Sequence, residues 1–175
     1  MLLIVVTFAI GGIAGLATGG SLRVFPSVRL HAWWLALAAV ALQFVNPAGW
    51  LGNAAVLASF VLLLTFAVVN LEAPGMLLLL VGIGMNAAVI AANGGMPITR
   101  QAIVDSGQQS TLAELESGAG GAKHHLAGPG STLLVLADVV GIPAPIAQAV
   151  SAGDLVMYVG VAWYVAAATK PRDRR

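Results

Sequence analysis

Five long apolar stretches, each nearly free of charge, constrain this chain more than any other feature. A transmembrane helix needs roughly 20 consecutive apolar residues. Charged residues make up only 9% of the 175, whereas a soluble domain carries about 25%. Because so little charge cannot cover a water-facing surface, the pattern predicts an all-α, polytopic membrane helical bundle with five transmembrane helices in a single domain. The predicted spans cover about residues 1–18, 31–45, 51–69, 75–92 and 151–169.

The basic residues predict how the bundle is oriented. No basic residue precedes the first apolar stretch, unlike a cleaved signal peptide, so we expect a retained first span. Lys and Arg concentrate on the cytoplasmic side of membrane proteins. Arg23 and Arg29 in the first loop, and the four basic residues of the 170–175 tail, therefore predict that both regions are cytoplasmic. Five spans then place the N-terminus outside, the C-terminus in the cytoplasm, and the hydrophilic 96–130 loop outside.

The 131–148 segment does not fit a normal span. It is apolar, but Ile142-Pro-Ala-Pro145 interrupts any helix, and Asp138 lies in its middle. We predict a re-entrant or interfacial segment, which is tolerated only where protein or a wet cavity covers the backbone. The alternative is a sixth span, which would place the long loop inside and the first loop outside. Within the long loop, Thr111-Leu-Ala-Glu114 fits a capping box and predicts a short surface helix.

Polar side chains from distant parts of the sequence are predicted to meet near the outer membrane boundary. Ionisable groups within a bilayer are costly and usually functional. Asp138 interrupts an apolar run, so it needs a partner, a proton or a cavity. Asp154 belongs to Ser151-Ala-Gly-Asp154, a capping-box pattern at the start of the last span. We therefore consider Asp138 and Asp154 as catalytic candidates.

A second group of polar residues is predicted to bind a ligand. Asn86 and Asn93 are seven residues apart and share a helix face; an interhelical hydrogen bond is the simplest role for Asn86. Gly94 follows Asn93 in a loop that could present backbone amides. One of the two adjacent histidines could carry a proton near neutral pH. The predicted substrate-binding residues are Asn93, Gly94, His125, Ser151 and Asn86.

Composition excludes several classes of site and partner. The absence of cysteine excludes disulfides and thiolate ligands. With only three histidines in the chain, no metal site is predicted. No cofactor is predicted either. A net charge of +1 does not indicate nucleic acid. The predicted partners are the lipid bilayer and a small-molecule or lipid ligand. Glycines four residues apart allow close helix contact, so Gly11, Gly15 and Gly19 predict a helix–helix partner.

Two families resemble this chain. The first is an uncharacterised family of small bacterial integral membrane proteins, a domain of unknown function, similar over essentially the whole chain. This resemblance rests on Asn93-Gly-Gly-Met-Pro97, a histidine before the apolar segment, Leu136-Ala-Asp138 and Ser151-Ala-Gly-Asp154. It implies a bacterial origin, and hence the bacterial cytoplasmic (inner) membrane, but no activity.

The second resemblance is architectural and is to lipoprotein signal peptidase. Asn93-Gly94, Asp138-Val-Val and Gly153-Asp154-Leu stand in a similar order, whereas the Gly-Asn-x-x-Asp-Arg motif of that family is missing. It implies an aspartyl intramembrane hydrolase acting through Asp138 and Asp154. Three functions therefore stay open: a polar pocket that binds or transports a small solute or lipid-linked ligand, an aspartyl hydrolase, and an accessory subunit of a membrane complex.

Overall fold

The computed structural model describes residues 2–23, 30–44, 50–117 and 123–170. Seven α-helices lie within these ranges, and the prediction that all five apolar stretches are helical is confirmed. Arg29 and the tail residues Arg172, Arg174 and Arg175 lie outside the described residues. The helices are α1 (Leu2–Ala17), α2 (Trp33–Phe44), α3 (Trp50–Val69), α4 (Met76–Asn93), α5 (Arg100–Ser106), α6 (Gln109–Glu116) and α7 (Ala152–Ala168).

The expectation of an all-α fold is wrong in one respect, because the chain also forms two small sheets. β1 (Met96–Ile98) pairs in parallel with β2 (His124–Leu126), and β3 (Val140–Ile142) pairs antiparallel with β4 (Gln148–Val150). Each strand has three residues, so its formation depends on pairing with a distant segment rather than on a periodic pattern of its own.

Two helices, α3 and α4, are long and apolar enough to cross a membrane. The other three apolar helices, α1, α2 and α7, are shorter. At 1.5 Å per residue, the 12 residues of α2 extend well short of the roughly 30 Å hydrocarbon layer. Length and composition therefore give two candidate spans among the described residues, and the prediction of five spans is not supported by helix length.

Glycines allow α4 and α7 to pack closely as an antiparallel pair. A Cβ built on Gly82 would lie 2.5 Å from the carbonyl oxygen of Gly153, and one built on Gly160 would lie 2.7 Å from that of Gly75. No larger residue fits such spacing without moving a backbone. Gly82 faces the start of α7 and Gly75 its second half, so the two helices run in opposite directions.

α1 packs against the opposite side of α7, and this pair is parallel. Gly11 faces Ala162, and Gly15 faces Ala166, so contacts advance in the same direction along both helices. Gly11 and Gly15 are buried, which means that their faces are already occupied within the chain. Gly19 has open space around it, and a partner through these glycines stays a prediction.

The remaining helices complete the bundle. α2 pairs antiparallel with α3: the Asn70 side chain accepts from the backbone N–H of His31 at 2.7 Å and donates to its carbonyl at 2.9 Å, while Gln43 donates to the Ser59 hydroxyl at the other end. α4 packs on α3 around a buried cluster that contains Val56 and Val89.

The described part of the long 96–130 loop folds onto the end of the bundle rather than extending from it. Ile98, Ile103 and Leu115 form its own buried cluster. The predicted surface helix is present as α6, but it begins at Gln109, so the expected cap at Thr111 is wrong. Thr111 lies inside the helix because the first helical hydrogen bond of α6 already starts at Gln108, whose carbonyl accepts from the Leu112 N–H.

The 131–148 segment contacts α4 in its first part and then packs against α5. Its start is held at Asn93, where the Thr132 backbone N–H donates to the Asn93 side chain at 2.8 Å. In β3, a Cβ built on Gly141 would collide with the Ala102 carbonyl oxygen of α5. After β4, the Ser151 hydroxyl donates to the Asn86 side chain of α4 at 2.9 Å. The segment is a 3-10 turn (Leu134–Leu136) followed by the β3–β4 hairpin.

Candidate functional site

Asp138 is held at the centre of the site by its backbone. Its N–H donates to the Pro97 carbonyl and its carbonyl accepts from the Thr99 N–H, both at 3.1 Å, as an extension of β1. The side chain is only 6% exposed. Within the described part of the chain, its Oδ1 atom is buried and has no hydrogen-bond partner. An acceptor buried without a partner is costly, so it points to a bound proton, water or ligand.

Asp154 lies in a closed hydrogen-bond network. The predicted capping box is confirmed: the Asp154 N–H donates to the Ser151 hydroxyl at 2.9 Å, and Oδ2 accepts from the Ser151 N–H at 3.2 Å. The Asn86 amide donates to Oδ1 at 2.7 Å. The predicted interhelical bond of Asn86 is thereby confirmed. Both carboxylate oxygens of Asp154 therefore accept hydrogen bonds.

Two cavities meet at these carboxyl groups. The inner cavity, about 210 Å³, lies within the bundle, and its apolar wall includes Val56, Phe60, Leu63 and Met157. The outer cavity, about 340 Å³, lies under α6 and β4 and is lined by polar groups such as Gln108 and Gln148.

Three polar residues line both of these cavities, so they form the boundary between an apolar and a hydrophilic compartment: His124, Asp138 and Asp154.

Burial and charge affect the groups at this boundary differently. Desolvation, with a contribution from the charge of Asp154, raises the pKa of Asp138 to about 7. The pKa of His124 is lowered, mainly by desolvation and next by Lys123, although the Asp154 charge acts in the opposite direction. Burial thus disfavours the charged form of both Asp138 and His124.

Lys123 is anchored at the edge of the inner cavity. Its ammonium group donates to the backbone carbonyl of Gln43, which lies in the last turn of α2, where carbonyls lack helical partners and attract cations. Desolvation lowers the pKa of Lys123. This contact links β2 to α2 across the mouth of the inner cavity.

The structure does not bring every predicted site residue to these cavities. Asn93 donates to the Val89 and Thr132 carbonyls, so its side chain fixes the loop rather than facing Asp138. The Gly94 N–H is used in capping α4 at Ile90. His125 follows His124 on β2, and successive strand residues face opposite ways, so His124 and not His125 lines the cavities. Of the predicted set, Asp138, Asp154, Asn86 and Ser151 come together.

Several residues of the site were not predicted. Lys123, Gln43 and Gln148 were not among the predicted site residues, because no local pattern places them beside Asp138 or Asp154. Glu114, which lines the outer cavity, was interpreted only as part of a capping box. His124 could have been identified if β2 had been recognised as a strand, because successive side chains of a strand face opposite sides.

Comparison with known proteins gives a family but no activity. The model of a family of unknown function (DUF5317) matches residues 23–166. No curated protein and no solved structure matches the chain significantly. The resemblance to an uncharacterised family is thus confirmed, whereas those to lipoprotein signal peptidase and to a bacterial source stay predictions. Because the match covers most of its length, the chain belongs to DUF5317, a family of unknown function.

Proposed function

We propose that this chain is a five-span membrane protein whose outer-facing pocket binds an amphiphilic small molecule, such as a lipid-linked ligand. The polar end of the ligand would lie at His124, Asp138 and Asp154, and its apolar part in the inner cavity. The observation that carries the proposal is the meeting of an apolar and a hydrophilic cavity at a buried carboxyl oxygen with no partner in the described chain.

The helix directions support five spans. α1 and α7 pack in parallel, so both cross in the same direction, and this requires an odd number of spans. The six-span alternative would make them antiparallel. Large exposed side chains such as Val61 at 60%, Leu77 at 61% and Trp163 at 56% cover the outer helix faces, which suits lipid as the solvent. The basic residues then orient the pocket outward.

The 131–148 segment supports a pocket that opens toward lipid. Its 3-10 turn carries exposed apolar side chains, with Leu133 at 45% and Val135 at 77%. Because its 3-10 turn packs on α4 and α7 and Asp138 lines both cavities, the segment fits the condition under which irregular backbone is tolerated at membrane depth. A ligand could therefore enter from the outer leaflet without leaving an apolar environment.

Photolabelling tests the proposal. A long-chain fatty acyl ester with a diazirine near the chain end is added to the protein in lipid nanodiscs, and labelled peptides are mapped by mass spectrometry. We expect saturable labelling near Met157 that excess unlabelled ester displaces. Val56→Phe, which fills the inner cavity, should abolish this saturable fraction. Val61→Phe, on the lipid-facing side of α3, should leave it unchanged. Labelling that never saturates, or that both variants retain, would contradict a binding pocket.

An aspartyl hydrolase is the second candidate, and one observation favours it. A carboxyl group with a raised pKa, Asp138, lies beside a carboxylate held by hydrogen bonds, Asp154, which is how acid and base roles are divided between two such groups. Asp154 would activate a water from the outer cavity, and Asp138 would protonate the scissile carbonyl. The photolabelling ester distinguishes a hydrolase from a binding protein, because only a hydrolase cleaves it. Asp138→Asn and Asp154→Asn should each stop this cleavage.

A further inference from the structure

The outer cavity is rich in hydrogen-bond acceptors. Three carboxyl groups line it, those of Glu114, Asp138 and Asp154, and the described lining residues include no Lys or Arg. Lys123 lines only the inner cavity, where its ammonium is committed to the Gln43 carbonyl. His124 is held neutral by desolvation and by the neighbouring Lys123, which lower its pKa. A ligand group that is positively charged and donates hydrogen bonds would complement this set.

The buried oxygen of Asp138 gives this charge pattern a specific receptor. Asp138 is more than nine-tenths buried and lines both cavities, yet its Oδ1 has no donor among the described residues. By contrast, both oxygens of Asp154 are already satisfied by Asn86 and Ser151. The missing donor is therefore required at Asp138 in particular.

A metal ion fits the site less well than an organic cation. Within the described ranges, no group of three or more His, Cys, Asp or Glu side chains is arranged to hold a metal. A hard divalent cation needs about six oxygen ligands, whereas an ammonium group needs one carboxylate and a few neutral acceptors. The adjoining inner cavity, walled by Phe60 and Met157, suits the carbon chain of an alkylamine.

We propose that the ligand is an amphiphilic amine whose ammonium group donates to Asp138 Oδ1 and whose carbon chain occupies the inner cavity. This inference rests on the proposed amphiphile pocket and specifies its ligand. A charge-assisted hydrogen bond in a site of low dielectric is about twice as strong as a neutral one. The ammonium group would give Asp138 Oδ1 its missing donor, and its positive charge would offset the carboxylates of the outer cavity.

Binding of the amine is coupled to a proton. Below pH 7, the carboxyl group of the ligand-free protein carries a proton at Asp138. When the amine binds, this proton is released to solvent, and an ammonium N–H donates to the carboxylate instead. The groups that face Asp138 are Asp154 and Tyr158 from α7, Lys123 and His124 at β2, and Glu114 from α6. Of these, His124 also carries a titratable proton, so a His124→Gln background isolates Asp138. We expect about one proton released per amine at pH 6, and almost none at pH 8.5.

Calorimetry with three probes of one chain length tests the inference. Hexylamine, hexanol and hexanoate are titrated into the protein in lipid nanodiscs at pH 8.5, and hexylamine again at pH 6 in buffers of different ionisation enthalpy. We expect hexylamine to bind about ten- to one-hundred-fold more tightly than hexanol, the equivalent of one hydrogen bond to a charged group. Asp138→Asn should remove this preference. Asp105→Asn, which alters an exposed carboxyl that lines neither cavity, should retain it.

The outcomes separate this inference from the proposed function. Equal binding of hexylamine and hexanol, or an unchanged preference in Asp138→Asn, would overturn the amine assignment and leave the amphiphile pocket standing. Preferred binding of hexanoate would overturn it in favour of an anionic ligand. If none of the three binds and photolabelling is also unsaturable, the pocket itself is refuted. Circular dichroism of each variant shows that a lost preference does not reflect a lost fold.

Discussion

Gly153→Ala is expected to destabilise the fold by about 3 kcal/mol or more, a large effect for one methyl group. A Cβ at this position would collide with the Asn86 amide oxygen and lie 2.7 Å from the Gly82 carbonyl oxygen. α4 and α7 would have to separate, and the Asn86–Asp154 hydrogen bond would be lost with them. Unfolding in mixed micelles with increasing SDS, followed by circular dichroism, measures the loss.

Gly84→Ala is the matched control for this prediction. Gly84 lies on α4 only two residues from Gly82, but nothing lies within 4 Å of an added Cβ. Replacing a helical glycine by alanine ordinarily stabilises a helix by up to about 1 kcal/mol. The two substitutions should therefore have opposite signs. Equal stability of the two variants would show that α4 and α7 do not approach as closely as the structure places them.

Asp138 is expected to make the fold less stable as pH rises from about 4 to about 7. The carboxyl keeps its proton up to about pH 7 in the folded chain but loses it near the ordinary value of 3.8 in the unfolded chain. The folded state binds more protons within this window, so the free energy of unfolding falls as pH increases. The loss should reach roughly 4 kcal/mol, since each pKa unit corresponds to about 1.4 kcal/mol. Below the window, the stabilisation is fully present.

Asp138→Asn should remove this component of the pH dependence. The variant should be more stable than the parent chain at pH 8, because no charge is then buried without a partner. His124 contributes with the opposite sign, since a lowered histidine pKa makes stability rise with pH; the measured quantity is therefore the difference between parent and variant. Asp105→Asn, on the exposed face of α5, serves as the control. A parent–variant difference that does not change between pH 4 and pH 8 would refute a buried Asp138.

The helices were predictable from sequence, whereas the contacts that form the site mostly were not. Uninterrupted apolar runs identified all five long helices to within two residues. The capping box at Ser151 was predictable because both of its partners lie within four residues of each other. By contrast, β1 pairs with a strand that begins 28 residues after Met96, and no local pattern encodes that pairing.

The placement of the predicted site residues depends on the same kind of contact. His124 rather than His125 lines the cavities, because the alternation of a short strand decides which of the two side chains faces them. Asn93 was predicted to bind a ligand, but a long-range contact with Thr132 uses its side chain. Asp138 was predictable from the cost of a lone carboxyl in an apolar run. That Asp138 lines the same two cavities as Asp154 depends on its backbone pairing with β1, which no local pattern encodes.

The accessibility of single cysteines in intact cells is the most direct test of an outward-facing pocket that admits an amphiphile. The chain has no native cysteine, so Glu114→Cys beside the outer cavity and Glu72→Cys at the other end of the bundle can be compared without background. A membrane-impermeant maleimide should label position 114 in intact cells, more slowly when hexylamine is present, and position 72 only after permeabilisation. Labelling of position 72 but not 114 in intact cells would contradict the account.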